Sequence, residues 1–184
     1  MTTDILRVDN EIVLRWPSAA DADELFGLLA ANRAHLGRWL PWVESATVES
    51  ERRWIEGRLA AKAQGQASPP LIMYQGALVG CAAIERVELV NKLGEIGYWL
   101  AEDFQGRGIV TCACRAVLDY AFCSLGMNRV EIRAALGNQK SRAIPERLGF
   151  AFEGAHRQAL LLHGQFHDMA VYSILASEWM ARKV

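Results

Sequence analysis

The period of apolar positions changes several times along the chain, and each change marks an element. Glu11-Ile-Val-Leu-Arg-Trp16 reads as a strand, which Pro17 stops. Ser18 caps the helix beyond it. Asp21, Asp23 and Glu24 load that helix's first turn with the sign its dipole favours. Ala22, Leu25, Phe26 and Leu29 then recur at helical spacing, so the helix is predicted to end near Arg33. Leu36-Gly-Arg-Trp-Leu-Pro-Trp42 is too aromatic for an ordinary solvent loop. Thr47 can cap a second helix with Val48, Ile55 and Leu59 on one face, closed by Gly65 and Ser68-Pro69-Pro70.

Beyond those prolines the period falls to that of strands. Leu71 to Tyr74, a Gln75-Gly76 turn, and Ala77 to Ile84 predict a hairpin, and Glu95-Ile-Gly-Tyr-Trp-Leu100 a further strand. A long apolar-rich helix runs from about Ile109 to Leu125, ended by Gly126. Val130 to Ala135 is a strand, Asn138 to Leu148 a short helix closed by Gly149, and Phe150 to Leu162 with Met169 to Leu175 a long hairpin around Gly164. The order β-α-α-β-β-β-α-β-α-β-β is not a regular βαβα alternation. It predicts an α/β fold with a mixed sheet and helices on both faces.

Composition narrows the class. The 184 residues predict one domain spanning 1–184, since domains mostly run to about 100–200 residues. Hydrophobic residues at 52% and charged residues at 22% are those of a globular chain. A net charge of −1 lacks the basic excess of a nucleic-acid module. No apolar run approaches the roughly 18 residues that span a bilayer, and Met1-Thr-Thr-Asp4 lacks the basic start of a signal peptide, so a cytoplasmic protein is expected. Cys112 and Cys114 point to opposite sides of a helix, and Cys112 and Cys123 lie roughly 16 Å apart along it. All four cysteines are read as reduced core residues, with no metal site.

Three features carry chemistry. Gln105-Gly-Arg-Gly108 sits between strand and helix, where glycines admit close backbone approach and a helix N-terminus offers unpaired N–H groups to phosphate. Arg107 could add a charge-assisted bond. A plain helix-starting turn is the alternative. No Walker loop and no third glycine of a dinucleotide fingerprint is present. Asn138-Gln-Lys-Ser141 comes after a strand, with Asn138 able to cap the short helix and Ser141 one turn later. Alternation puts Glu95, Gly97 and Trp99 on one face of their strand and Ile96, Tyr98 and Leu100 on the other. Glu95 is either functional or a solvated strand end. The side chains of Tyr98 and Trp99 read as packing, and Pro145 would cost its helix a backbone bond unless it lay in the first turn.

In this order and spacing the chain resembles the GNAT acetyltransferase superfamily, and within it the RimJ/RimL type of ribosomal-protein N-terminal acetyltransferases. The resemblance rests on Arg38-Trp-Leu-Pro-Trp42, Glu95 to Leu100, Gln105-Gly-Arg-Gly-Ile-Val110, Asn138 to Ser141, Leu148-Gly-Phe150 with Glu153-Gly154, and Asp168 before Tyr172. It implies transfer of acetyl from acetyl-coenzyme A to a primary amine by direct attack, and a homodimer. Gln105, Gly106, Arg107, Gly108, Ile109 and Val110 would hold the pyrophosphate, with Val110 standing where a small residue is usual. Trp99, Leu100 and Ala101 would pair with the pantetheine arm, and Asn138 would hold it. Ser141 would protonate the leaving thiolate.

For the acceptor side, the resemblance implies Trp39, Trp42 and Leu160. Leu160 stands where this type often carries a glutamate base, which leaves Glu95 through a water, His163, or no dedicated base. An α-amine titrates near 7.7–8.0 and a lysine near 10.4, so freeing the amine at pH 7 costs about 1–1.4 and about 4.6 kcal/mol respectively. An N-terminal or aminoacyl amine therefore fits better than lysine. The rivals are a non-catalytic sensor of coenzyme A or a peptide, and a nucleotide-binding module.

Overall fold

A computed structural model describes residues 5–182. In chain order the elements are β1 (Ile5–Arg7), β2 (Ile12–Arg15), α1 (Ala22–Ala31), α2 (Arg33–Leu36), α3 (Val48–Ala63), β3 (Leu71–Tyr74), β4 (Ala77–Glu88), β5 (Leu93–Leu100), α4 (Ile109–Cys123), β6 (Arg129–Ala135), α5 (Gln139–Leu148), β7 (Ala151–Leu162), β8 (Gln165–Leu175) and α6 (Ala176–Ala181). The predicted order stands with three additions, β1, α2 and α6. All three are too short to show a period.

Several local causes are visible. Asp21 accepts hydrogen bonds from the N–H and hydroxyl of Ser18 and forms an ion pair with Arg15 at 2.7 Å, which fixes the entry to α1. The first helix stops at Asn32, whose side-chain nitrogen donates to the Leu28 carbonyl, and only the single turn of α2 continues beyond it. Thr47 and Ser50 cap α3 reciprocally, as a capping box requires. The buried face of α3 differs from the expected one: it is Glu51, Ile55 and Arg58, while Leu59 is exposed. Apolar spacing could not reveal a face that is two-thirds charged. The cysteines are all free, but Cys123 lies on the surface and not in the core.

The sheet has eight strands in the order β1-β2-β3-β4-β5-β6-β8-β7, antiparallel throughout except between β5 and β6. That parallel pair is joined by α4, the crossover such a pair needs. Ile96 and Leu100 of β5 lie in the core beneath α4, together with Ile109, Ala113, Val117 and Ile132. Trp99 faces the other way, against Leu25, Leu71 and Cys81, and also against Leu29, Leu36 and Val43. Burial of each such aliphatic side chain contributes about 1.5–3 kcal/mol. The two-faced packing fixes the orientation of β5, and β5 sets the site.

Candidate active site

β5 and β6 pair at only three positions: Leu93 with Arg129, Gly94 with Val130, and Glu95 with Glu131. β5 then runs on to Leu100 and β6 to Ala135 without further pairing. The strands part after Glu95 and leave an open edge inside the sheet. The Ala101 N–H donates to the Val79 carbonyl of β4 at 2.9 Å. Alternation along an antiparallel pair then turns Trp99 toward β4 as well, and turns the backbone groups of Tyr98 and Leu100 into the cleft. Of the three residues expected to pair with a ligand arm, Leu100 is the one whose N–H faces it.

The glycine turn lies beyond the end of β5. Gly106 and Gly108 both have φ of 76°, the left-handed region, and a Cβ at either would meet nothing within 4 Å. Gly108 is the N-cap of α4, and the first helical bond runs from the Cys112 N–H to its carbonyl. The N–H groups of Ile109, Val110 and Thr111 therefore have no partner inside the helix. Ile109 and Val110 direct their side chains into the core, so the extra bulk of Val110 does not obstruct the turn. Thr111 Oγ1 is buried there without a partner. Arg107 is held within the loop, donating to the Asp103 carbonyl and lying over the Phe104 ring. Gln105 ties the glycine turn to two elements: its amide nitrogen donates to His35 Nε2 of α2 at 2.7 Å, and its oxygen accepts from Lys140 of α5 at 2.9 Å.

α5 closes the cleft on the α4 side of the sheet. Asn138 caps it, with Oδ1 accepting from the Ser141 N–H at 3.2 Å. The Tyr98 hydroxyl donates to the Ser141 carbonyl at 2.8 Å and accepts from Ser141 Oγ at 3.2 Å. Pro145 explains the first bond. It sits inside α5, not in its first turn, and supplies no N–H to the carbonyl four residues back, which is that of Ser141. The phenol of Tyr98 replaces the missing donor. Burial pushes its pKa well above the ordinary tyrosine value, so it stays protonated and able to donate. Its side chain, expected only to pack, fixes the geometry of Ser141.

On the opposite face, the Trp39 ring lies 3.7 Å from where a Cβ on Gly137 would stand, at the exit of β6. Trp42 is exposed nearby in the same segment. His163 donates from Nε2 to the Gly37 carbonyl at 3.0 Å and lies 3.6 Å from Glu44. It pins the β7–β8 hairpin to the aromatic segment and does not face Ser141. Leu160 pairs with His167 at the end of a bulge in β7, where Asp168 accepts from the Gln158 N–H. Glu95 is paired with Arg133 at 3.7 Å and belongs to a ladder of charges in which Glu131 binds both Arg129 and Arg133. The structure thus brings Ser141, Asn138, Gln105 and the β5 edge together. It sets Glu95, Trp39 and Trp42 on the far face and Leu160 on the hairpin. Sequence reasoning missed His35, Lys140, the role of Tyr98, and Glu85 of β4, whose side chain lies over Gly97. Only the glycine at 97 hinted at a close neighbour.

The turn with three unfilled N–H groups, the orphaned Thr111 hydroxyl and the unpaired β5 edge together suit a phosphate-bearing ligand with an amide-rich arm. Residues 11–151 match the Acetyltransferase (GNAT) domain family. The chain belongs to the GNAT acetyltransferases. It is an N-acetyltransferase that uses acetyl-coenzyme A. Bacillus subtilis YdaF, whose name proposes a ribosomal N-acetyltransferase, is 40% identical over 96% of this chain and 98% of its own. The ribosomal-protein-serine acetyltransferase of Escherichia coli is 28% identical over 93% and 96%. Among solved structures, RimL, a ribosomal L7/L12 α-N-protein acetyltransferase in complex with coenzyme A, superposes with a TM-score of 0.87 at 31% identity, covering 93% of this chain and 97% of that one. The microcin C7 self-immunity acetyltransferase MccE, in complex with acetyl-CoA and AMP, gives 0.87 at 30% identity over 95% and 97%. No helix among the described residues is long and apolar enough to cross a membrane.

Proposed function

We propose that this GNAT enzyme acetylates the α-amino group of a polypeptide N-terminus by direct attack on the thioester. The observation that carries the reading is the parting of β5 and β6, which sets an unfilled backbone edge between the glycine turn and Ser141. The N–H groups at the start of α4 bind the pyrophosphate of the donor, and the bulk of Val110 is turned away from it. The Leu100 N–H receives the thioester oxygen as charge develops on it. Asn138 fixes the first turn of α5 so that Ser141 Oγ can turn from Tyr98 toward the departing sulfur and protonate it. Trp39 and Trp42 wall the acceptor mouth, and Leu160 on the hairpin offers no charge to a lysine head. The α-amine of a ribosomal protein is the acceptor that the name of RimL states, and the Escherichia coli relative is named for a ribosomal-protein serine. The resemblance also implies a cytoplasmic homodimer, which sedimentation would show as twice 20.4 kDa.

A second reading keeps the chemistry and changes the acceptor to an aminoacyl conjugate, favoured by the structural similarity to MccE, which holds AMP. An acetylation screen of N-terminal peptides, aminoacyl adenylates and lysine peptides separates the two. Products confined to the adenylates would overturn the polypeptide reading, and products confined to lysine would overturn both.

A further inference from the structure

We propose that Glu85 receives the proton of the acceptor amine, in place of the carboxylate that Leu160 does not supply. The inference rests on the reading of the cleft as an acetyl-transfer site, and the geometry begins at Gly97. A Cβ on Gly97 would come within 2.9 Å of Glu85 Cγ, so the side chain of Glu85 crosses β5 directly over this glycine. The register shifts between Ile84 and Arg86, which sets Glu85 apart from the regular pairing of β4 with β5. Gly97 lies just past the last β5–β6 pair, at Glu95. Its neighbour Tyr98 bonds Ser141 from the opposite face. Successive strand residues are about 3.8 Å apart and point to opposite faces. The cleft is therefore flanked at one level by Ser141 on the α4 side and by Glu85 on the side of Trp99. Acyl transfer is served by such an arrangement, with a group that gives a proton to the leaving sulfur on one side and a group that takes one from the attacking nitrogen on the other.

The surroundings of Glu85 suit that task. Arg58 of α3 faces it at 3.5 Å, with a buried Nε that has no partner. Glu95 of β5 faces it as a like charge and is itself paired with Arg133 of β6. The Cys81 thiol of β4 lies close enough to feel the charges of Glu85, Glu51 and Arg58. Burial, the largest influence, and the like charge of Glu95 raise the Glu85 pKa, while Arg58 lowers it; the net shift is upward, toward the range of an effective base. The Glu85 side chain remains 44% exposed, which leaves it open to an incoming amine.

In the step, Glu85 takes one proton from the ammonium form of the acceptor and later releases it to solvent. The nitrogen lone pair forms the N–C bond as the C–S bond breaks. The second proton, lost from nitrogen as the amide forms, balances the one that Ser141 delivers to sulfur.

The test is the pH dependence of kcat/KM, from about pH 5.5 to 9.5, for wild type, Glu85→Gln and Glu85→Asp, on the α-amino acceptor that the wild type acetylates best. Glu85→Gln is expected to lose about 10- to 100-fold below pH 7 and little at pH 9, where the amine is already neutral. Glu85→Asp is expected to recover most of the loss, and acetyl-CoA affinity by calorimetry is expected to stay within about twofold in all three. A loss of equal size at every pH, no loss, or lost cofactor affinity in both variants would overturn the proposal. Failure of the wild type to bind acetyl-CoA would instead overturn the cleft reading, and the wild-type calorimetry reports that separately.

Discussion

At the scale of single residues, the site depends on a compensation between Pro145 and Tyr98. The proline removes a helical donor, and the phenol restores one from another strand. Tyr98→Phe leaves the Ser141 carbonyl unpaired and is expected to cost about 1–2 kcal/mol of stability and to lower kcat. Pro145→Ala supplies a backbone N–H to the same carbonyl. The double variant is therefore expected to lose less stability than the two single changes sum to, as a thermodynamic cycle would show. Additive losses would mean that the two residues do not share that carbonyl. Ser141→Ala is expected to lower kcat about tenfold or more with acetyl-CoA affinity nearly unchanged, because the proton it is proposed to give would matter only as the thiolate leaves. Ser141 was legible in the sequence from its place in the short helix. Its bond to Tyr98 was not, because the two are 43 residues apart.

At the scale of elements, the strand–glycine–helix segment is the proposed phosphate site, and it was legible as a segment because every part is local. Gly108→Glu puts a side chain at φ 76° and a negative charge beside the proposed phosphates, and is expected to abolish acetyl-CoA binding in calorimetry. The entry to α1 makes an independent prediction. Arg15, with help from Ser18, holds the Asp21 carboxylate down to about 2, below its unfolded value near 3.9. A depressed carboxylate stabilises the fold above its unfolded pKa, and that contribution is lost as pH falls from about 4 toward 2. Asp21→Asn is expected to lower stability at pH 7 by about 2 kcal/mol, a Tm fall of roughly 4–8 °C, and to shrink the difference from wild type near pH 2. A difference that persists undiminished at pH 2 would assign the effect to packing. α3 marks the limit of pattern reading. Arg58 is buried because the sheet beneath offers the Ile84 carbonyl and Glu85 as partners, and nothing along α3 itself announces them.

At the scale of the molecule, function depends on one break in an eight-stranded sheet. The mixed sheet with helices on both faces was readable from element order alone. The point where β5 and β6 part was not, since it is set by the crossover through α4 and by the pairing of β6 with β8 on its other side. The same topology sorts the chemistry by face, with Ser141 and the α4 terminus on one side and Glu85, Trp39 and Trp42 on the other. Under the proposed function, the acceptor enters from the face opposite the helix proposed to hold the donor's phosphates, and an amine that is neutral near physiological pH is expected to be favoured. The most direct measurement pairs two peptides of one sequence, the first with a free N-terminus and lysine replaced, the second with a blocked N-terminus and a single lysine. Both are incubated with the enzyme and acetyl-CoA at pH 7.5, and the products are located by mass spectrometry. Acetylation of the free N-terminus at least about 100-fold faster than of the lysine is the expected result, given the spacing of the two amine pKa values. Equal rates, or faster acetylation of the lysine peptide, would contradict the account.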